Sequence, residues 1–287
     1  MRAMNTRLLV TGGAGFLGNH LLRRANQFVA AGTLHATPST SLPGVTFHVC
    51  DLQSPEEVRI LMDWVQPDVI IHTACSEQGK GIEAILPAAG LLAMQSVERN
   101  IRFIHLSTDQ VFDGTSAPYT EESPTNPINP YGHAKAKAEE LIRSLNPKAT
   151  IIRTSLLYDL RTPDRQTTRL IKATQTGEPY RLFVDELRCP VWVENFAKVL
   201  LEVATMDAPG ILHIAGPESL NRWDLGIGLL HHFGITPTPN IQQGTIEESG
   251  LVRPKNLTMI SSRAKQLLRT PPFSFLEARE KFQNLKI

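Results

Sequence analysis

Val10-Thr11-Gly12-Gly13-Ala14-Gly15-Phe16-Leu17-Gly18 sets glycines at 12, 15 and 18 directly after the apolar run Leu8-Leu9-Val10 and at the start of the apolar-periodic stretch Phe16 to Ala25. Strand, turn and helix follow one another in the order that brings a helix N-terminus up to a phosphate. Gly12 permits the tight turn, Gly15 lets the backbone approach a pyrophosphate, and Gly18 lets the helix pack closely. With Phe16 and Leu17 of the first helical turn, these glycines are candidate dinucleotide contacts. The structural alternative is an ordinary strand-to-helix turn that binds nothing.

Working outward, Arg7 to Thr11, Val45 to Val49, Val69 to His72, Phe103 to Leu106 and Thr150 to Arg153 read as short buried strands alternating with helical patterns. Such βαβ units imply an α/β fold of Rossmann type, a doubly wound parallel sheet with its ligand crevice beyond the carboxyl ends of the strands. Residues 1–155 are expected to form the dinucleotide-binding domain. Residues 156–287 are expected to form mainly a smaller C-terminal substrate lobe, with segments about 184–199 returning to the Rossmann domain. There, Tyr180 to Val184 and Ile211 to Ala215 read as strands, Val193 to Thr205 and Leu220 to Phe233 as helices. Pro118, Pro124, Pro127 and Pro130 mark a surface loop.

The chain has 287 residues, 41% of them hydrophobic, enough for one large domain with a lobe. Lys and Arg number 29 against 28 Asp and Glu, so no strong field favours nucleic acid or an anionic membrane surface. Cys50, Cys75 and Cys189 are odd in number and match no zinc spacing, and the nine histidines show no metal pattern. Free thiols imply a reducing compartment, with cytoplasm as the expected location. The apolar residues after Met1 are too few for a signal peptide, and no apolar run approaches the roughly 20 residues that cross a bilayer.

Two further stretches carry chemistry: Ser107-Thr108-Asp109-Gln110-Val111-Phe112, and Tyr131-Gly132-His133-Ala134-Lys135. On a helix over 131–143, Tyr131 and Lys135 lie one turn apart on the same face. A free tyrosine, with a pKa of about 10, is a poor acid, and a nearby ammonium favours its phenolate. A hydroxyl, a tyrosine and a lysine so placed suit carbonyl reduction; the alternative for Tyr131 is an aromatic packed beneath the proline loop. Thr154 also follows a strand end and should reach the same crevice. Thr33-Leu34-His35-Ala36-Thr37, at the end of the second strand, lacks the acid that grips an NAD ribose, which favours NADP(H) and leaves NAD(H) open. Asp51, followed by Leu52, suits the adenine amino group; a helix cap before Ser54 is its alternative.

Taken with Pro67-Asp68-Val69-Ile70-Ile71-His72, the string Ser107 to Gly114, Asn129-Pro130-Tyr131-Gly132, Arg188-x-Pro190 and Arg253-Pro254-Lys255-Asn256, these motifs resemble the extended short-chain dehydrogenase/reductase superfamily. Within it the chain is similar to the dTDP-4-dehydrorhamnose reductases over nearly its whole length. The resemblance implies that Tyr131 donates the proton, that Lys135 binds the nicotinamide ribose and biases Tyr131, and that Thr108 holds the carbonyl oxygen. It sets Thr73 and Ala74 beside the cofactor and Asp109, Gln110, Val111 and Phe112 with Thr108 on the substrate side. Arg188 and Arg253 suit a nucleotide-sugar pyrophosphate, a planar fork binding two oxygens at once, although a structural ion pair explains either. Trp192 and Trp223 suit core packing, and His231-His232 a helix surface.

Two departures stand out: Gln110 replaces a tyrosine that lines the sugar pocket, and Ile85 stands where an asparagine is usual. Gln110 cannot take a proton, so elimination of the dehydratase type is disfavoured. A nucleotide-sugar epimerase remains an alternative, as does a non-catalytic NADP-binding subunit resembling the regulatory subunit of methionine adenosyltransferase. The resemblance also admits a homodimer.

Overall fold

The computed structural model describes residues 6–35, 41–75 and 81–284. The first half runs β1 (Arg7–Thr11), α1 (Phe16–Arg24), β2 (Val29–Leu34), β3 (Val45–Val49), α2 (Pro55–Val65), β4 (Val69–His72), α3 (Ile85–Glu98), β5 (Arg102–Thr108), α4 (Pro130–Leu145) and β6 (Thr150–Thr154). The second half opens with β7 (Leu157–Tyr158), α5 (Arg165–Thr176), β8 (Tyr180–Phe183), β9 (Leu187–Arg188), β10 (Val191–Trp192), α6 (Val193–Val203) and β11 (Gly210–His213). It closes with β12 (Leu220–Asn221), α7 (Arg222–His232), β13 (Ile241–Gly244), α8 (Ile246–Ser249), α9 (Ser262–Leu267) and α10 (Phe275–Asn284).

Seven strands form one parallel sheet in the order β11-β6-β5-β4-β1-β2-β3. Because side chains alternate along a strand, the sheet feeds two cores. Leu8, Val10, Ile71, Ile104 and Ile152 face Leu21 of α1 and Phe196 of α6. Leu9, Ile70, Phe103 and Ile151 face Met62, Leu92 and Ile142 of α2, α3 and α4. Each large side chain buried this way contributes about 1.5–3 kcal/mol. The chain winds outward from β1 to β3, then returns through β4 to the other side, and the reversal opens a crevice at the carboxyl ends of β1 and β4.

The later chain returns to this sheet through α6, which packs on α1, and β11, which pairs with β6. Residues 193–213 thus lie on the main sheet, and β11, Gly210–His213, forms its outer strand where Ile211 to Ala215 is expected to be a strand. Residues 187–192 instead make short pairs, β9 with β12 and β10 with β7. The helix expected from Leu220 starts at Arg222, because Leu220–Asn221 pairs with β9 and Asn221 caps α7 through Asp224 N. Two small cores lie among these later elements, one around Tyr158, Trp192 and Phe282, the other around Leu170, Leu182 and Ile241. Among the described residues, no helix is long and apolar enough to cross a membrane.

Candidate active site

The turn after β1 is shaped by its glycines. Gly12 has φ +71°, in the left-handed region, and a Cβ there would lie 2.8 Å from the Ala74 backbone. A Cβ on Gly18 would lie 2.2 Å from the Gly12 carbonyl, so α1 packs on the turn itself as well as on the sheet. Gly15 is the N-cap of α1 and offers no side-chain cap, and no acidic residue occupies the first turn. The helix N-terminus is thus left with unsatisfied N–H groups and a positive dipole end, which suits a phosphate.

Sequence also fixes the start of α4. Asn129 accepts a hydrogen bond from Gly132 N at 2.8 Å, Pro130 takes the first helical position, and Tyr131 follows it. A Cβ on Gly132 would meet the Gln110 carbonyl at 2.1 Å, so the helix end lies hard against the segment after β5. Thr108 ends β5 and caps the short 3-10 turn Asp109–Val111 by accepting from Gln110 N at 3.2 Å. Tyr131 consequently lines the same cleft as Thr108, and its hydroxyl accepts from Cys75 Sγ at 3.7 Å.

Burial pushes the Tyr131 phenol well above its ordinary range; Cys75 and Asp109 add to the rise, and Thr108 opposes it. Lys135 is buried one turn along, where burial lowers its ammonium while Cys75 and Glu139 oppose the fall. The depression of Tyr131 expected from the lysine is therefore overridden by burial in the protein alone.

Asp109 is the hub beneath Thr108. It is fully buried and accepts from Arg188 Nε at 2.9 Å, Arg188 Nη2 at 2.8 Å, Ser155 Oγ at 2.5 Å and Thr108 Oγ1 at 3.2 Å. Burial raises its carboxyl above the ordinary value against the pull of Arg188. Arg188 thus occupies the ion-pair alternative, its remaining Nη1 standing 3.5 Å from Glu186. Val111 and Phe112, expected on the substrate side, are instead completely buried and do not line the cleft that holds Thr108 and Tyr131. The 3-10 turn points them inward, and Phe112 stacks on Tyr119 with ring centroids 4.0 Å apart.

One cleft of about 1400 Å³ joins these parts, more than the roughly 300–1,000 Å³ of an ordinary small-ligand pocket. Its first end is lined by His35, Asp51, Leu52 and the turn residues Gly12, Gly15, Phe16, Leu17 and Gly18. Asp51 Oδ1 accepts from Gln53 N, while Ser54 caps α2, so the cap belongs to Ser54 and the carboxylate of Asp51 shapes the loop at the cleft wall. The middle holds Thr73, Ala74, Thr108, Tyr131, Lys135 and Thr154. Thr73 spends its hydroxyl on the Thr11 carbonyl, whereas the buried Thr154 hydroxyl has no partner among the described residues. The far end holds Asp109, Gln110, Glu186, Arg188, Arg222 and Arg253.

Arg222 was not anticipated. It opens α7, donates to Gln166 Oε1, and has its guanidinium lowered by burial and by the like charges of Arg188 and Arg253. A cation in the first turn of a helix sits at the unfavourable end of the dipole, which was the one local hint. Arg253, 46% exposed, reaches Glu186 at 3.2 Å. Trp192 is core and bonds Asp159, Trp223 packs in the lobe, and His232 bonds the Leu160 carbonyl. No group of three or more His, Cys, Asp or Glu among the described residues could hold a metal.

A family model described as the RmlD substrate binding domain matches residues 6–285. The chain is 31% identical over 247 residues to dTDP-4-keto-6-deoxy-D-glucose reductase of Streptomyces niveus, covering 82% of this chain and 81% of that protein. It is 27% identical to methionine adenosyltransferase 2 subunit beta of Rattus norvegicus, over 92% of this chain and 84% of the relative. In structure it resembles dTDP-4-dehydrorhamnose reductase of Bacillus anthracis, solved in complex with NADP, with a TM-score of 0.80 at 21% identity over 98% of this chain and 99% of the other.

Proposed function

The chain belongs to the RmlD substrate binding domain family, and on that premise we propose that it is an NAD(P)H-dependent reductase of a nucleotide-activated 4-keto-6-deoxy sugar. The observation that carries this reading is the meeting of Thr108, Tyr131 and Lys135 in the same cleft as the glycine turn. The uncapped N-terminus of α1 and the unpartnered Thr154 hydroxyl fit a dinucleotide lying between the glycine turn and the Tyr131 site. Arg222 and Arg253 then suit the substrate's diphosphate at the far end, with Arg188 already committed to Asp109.

When bound, reduced nicotinamide supplies the hydride. Thr108 turns its one hydroxyl proton from Asp109 to the ketone oxygen and holds it there, and Tyr131 gives that oxygen its own hydroxyl proton, so ketone becomes alcohol. General acid catalysis of this kind contributes about 10²–10⁴-fold. The ammonium of Lys135 steadies the phenolate left on Tyr131 and holds the nicotinamide ribose. Thr33, Leu34 and His35 present no carboxylate to repel a 2′-phosphate, which together with the NADP-bound relative supports NADP(H) as the preferred cofactor and NAD(H) as an accepted one.

Gln110 Oε1 accepts from Asn129 Nδ2 at 3.1 Å, and an amide in that place supports reduction over dehydration. The kinship with the methionine adenosyltransferase subunit supports a second reading, a regulator that binds NADP without turnover. We further place the chain in the cytoplasm as a homodimer, on the resemblance to sugar-nucleotide reductases; light scattering of the purified chain tests the assembly.

The deciding experiment follows loss of NADPH and NADH absorbance with dTDP-4-keto-6-deoxy-mannose generated in place, for the native chain and Tyr131→Phe. Turnover that collapses in the variant supports the reductase; NADPH binding without turnover moves the regulator to the front.

A further inference from the structure

Lys135 is gripped from β5. Its ammonium carries three N–H donors, of which one goes to the Leu106 carbonyl and one to His105 Nε2 at 3.1 Å. Nε2 accepts only when it bears no proton, so the ring's single proton sits on Nδ1, and Nδ1 is buried without a partner among the described residues. Leaving a ring N–H unsatisfied in the interior is costly, and the lysine contact is what the ring has in exchange. The ring cannot swing away: it is 1% exposed and lies against His72 with centroids 5.1 Å apart, while His72 Nδ1 is tied to Thr11 Oγ1 at 2.6 Å.

We propose that His105 is a positioning residue whose neutral Nε2 fixes the Lys135 ammonium, supports its charge and leaves its third N–H for the nicotinamide ribose. The groups around the ammonium leave this acceptor little competition. Glu139, on the lysine's own helix, is engaged by Arg153 at 2.7 Å and by Ser107. Asp109, beyond β5, is taken by Arg188 and Ser155. Cys75 beyond β4 and the Tyr131 hydroxyl bond each other, and His72 of β4 is held by Thr11. Burial, Lys135 and His72 all hold His105 far below its ordinary value, so the imidazole stays an acceptor throughout the neutral range.

The inference rests on Lys135 belonging to the proposed site, and its test reads the lysine directly. The full chain is prepared with isotope-labelled lysine, the Lys135 ammonium signal is identified by its loss in Lys135→Met, and its titration is followed by NMR. In His105→Leu the midpoint should fall by about one pH unit, the tenfold effect of one hydrogen bond to a charged group. His105→Gln, whose Oε1 can reach the same point, should restore it; His105→Asn, equally polar but shorter, should follow Leu. NADPH affinity, read by fluorescence, should weaken about tenfold in the same two variants.

Equal midpoints in all chains overturn the proposal, as does His105→Gln behaving like His105→Leu. If His105→Leu fails to fold, the Gln and Asn pair carries the comparison. Absent ketosugar turnover in the native chain would count against the reductase and leave the titration result standing.

Discussion

Replacing Arg188 by Met separates two roles that the sequence left open. Both partners of the Arg188–Asp109 pair are buried, the guanidinium side chain 6% exposed and the carboxylate 0%. Removing one member of such a pair costs about 3–5 kcal/mol, because the other charge is left without compensation. For a chain of this length the melting entropy is roughly 0.6 kcal/mol per degree, so the midpoint should fall by about 5–8 °C. The sign with pH follows from Asp109, whose carboxyl burial already raises and Arg188 pulls down. Without Arg188 the folded-state value rises further, the folded chain holds a proton that the unfolded chain has released, and stability falls as pH rises. Between the native midpoint and the variant's higher one, the deficit should grow by about 1.4 kcal/mol per pH unit. Calorimetry at several pH values measures this, and Asp109→Asn combined with Arg188→Met should recover part of the loss. A variant that melts like the native chain at every pH yet shows a raised KM for the nucleotide sugar would refute the argument and return Arg188 to the substrate.

Tyr131→Phe should lower kcat by about 10²–10⁴-fold while leaving the fluorescence-measured NADPH affinity near native. Arg222→Gln and Arg253→Gln should each raise KM for the nucleotide sugar about tenfold with NADPH affinity unchanged, the loss of roughly one charge-assisted bond; competition by dTDP but not thymidine should weaken in step. Gly18→Ala puts a methyl 2.2 Å from the Gly12 carbonyl, and should cost about 1–3 kcal/mol in chemical denaturation together with NADPH binding. The Asp113 carboxyl is held well below its ordinary value by bonds from Thr115, Tyr119 and Asn126. Its contribution is present above the unfolded carboxyl value of about 3.9 and fades as pH falls below it, so Asp113→Asn should flatten the acid limb of the stability profile.

The fold was legible where local pattern and tertiary role coincide. Apolar runs such as Leu8 to Val10 and Val69 to Ile71 are buried on both faces, and only a central parallel strand asks for that. Gly12, Gly15 and Gly18 were readable because each answers a distinct backbone demand at a fixed spacing. The string Thr108 to Phe112 was readable as a motif but not as a set of directions. A 3-10 turn sends Asp109 under Thr108 and Val111 and Phe112 into the core, and nothing in residue type alone distinguishes a ring lining a sugar from one stacked on Tyr119. Arg188 and Arg253 look equivalent in sequence; their fates diverge because Asp109, distant in the chain, lies beside one and not the other. Arg222 was hidden by an ordinary helix start, Asn221-Arg222-Trp223-Asp224, whose cap explains it without invoking a ligand.

The Arg188–Asp109 pair also determines how the two halves of the cleft meet. Asp109 directly follows the end of β5 in the main sheet, and Arg188 belongs to β9, outside that sheet. β9 is stitched to the C-terminal segment through Leu187 N to the Lys255 carbonyl at 2.7 Å and Leu257 N to the Leu187 carbonyl at 3.0 Å. That segment is stitched in turn to the loop after β5, through Asn256 N to the Gly114 carbonyl and Tyr119 N to the Thr258 carbonyl. Arg253, at the head of the same segment, therefore has its position fixed relative to Thr108 along two independent connections, one ionic and buried, the other a backbone ladder. On the proposed function, a substrate held by its anionic end at Arg253 would thereby be registered against the hydroxyls of Thr108 and Tyr131, the geometric condition for reduction at one carbonyl rather than at any carbonyl that fits the cleft.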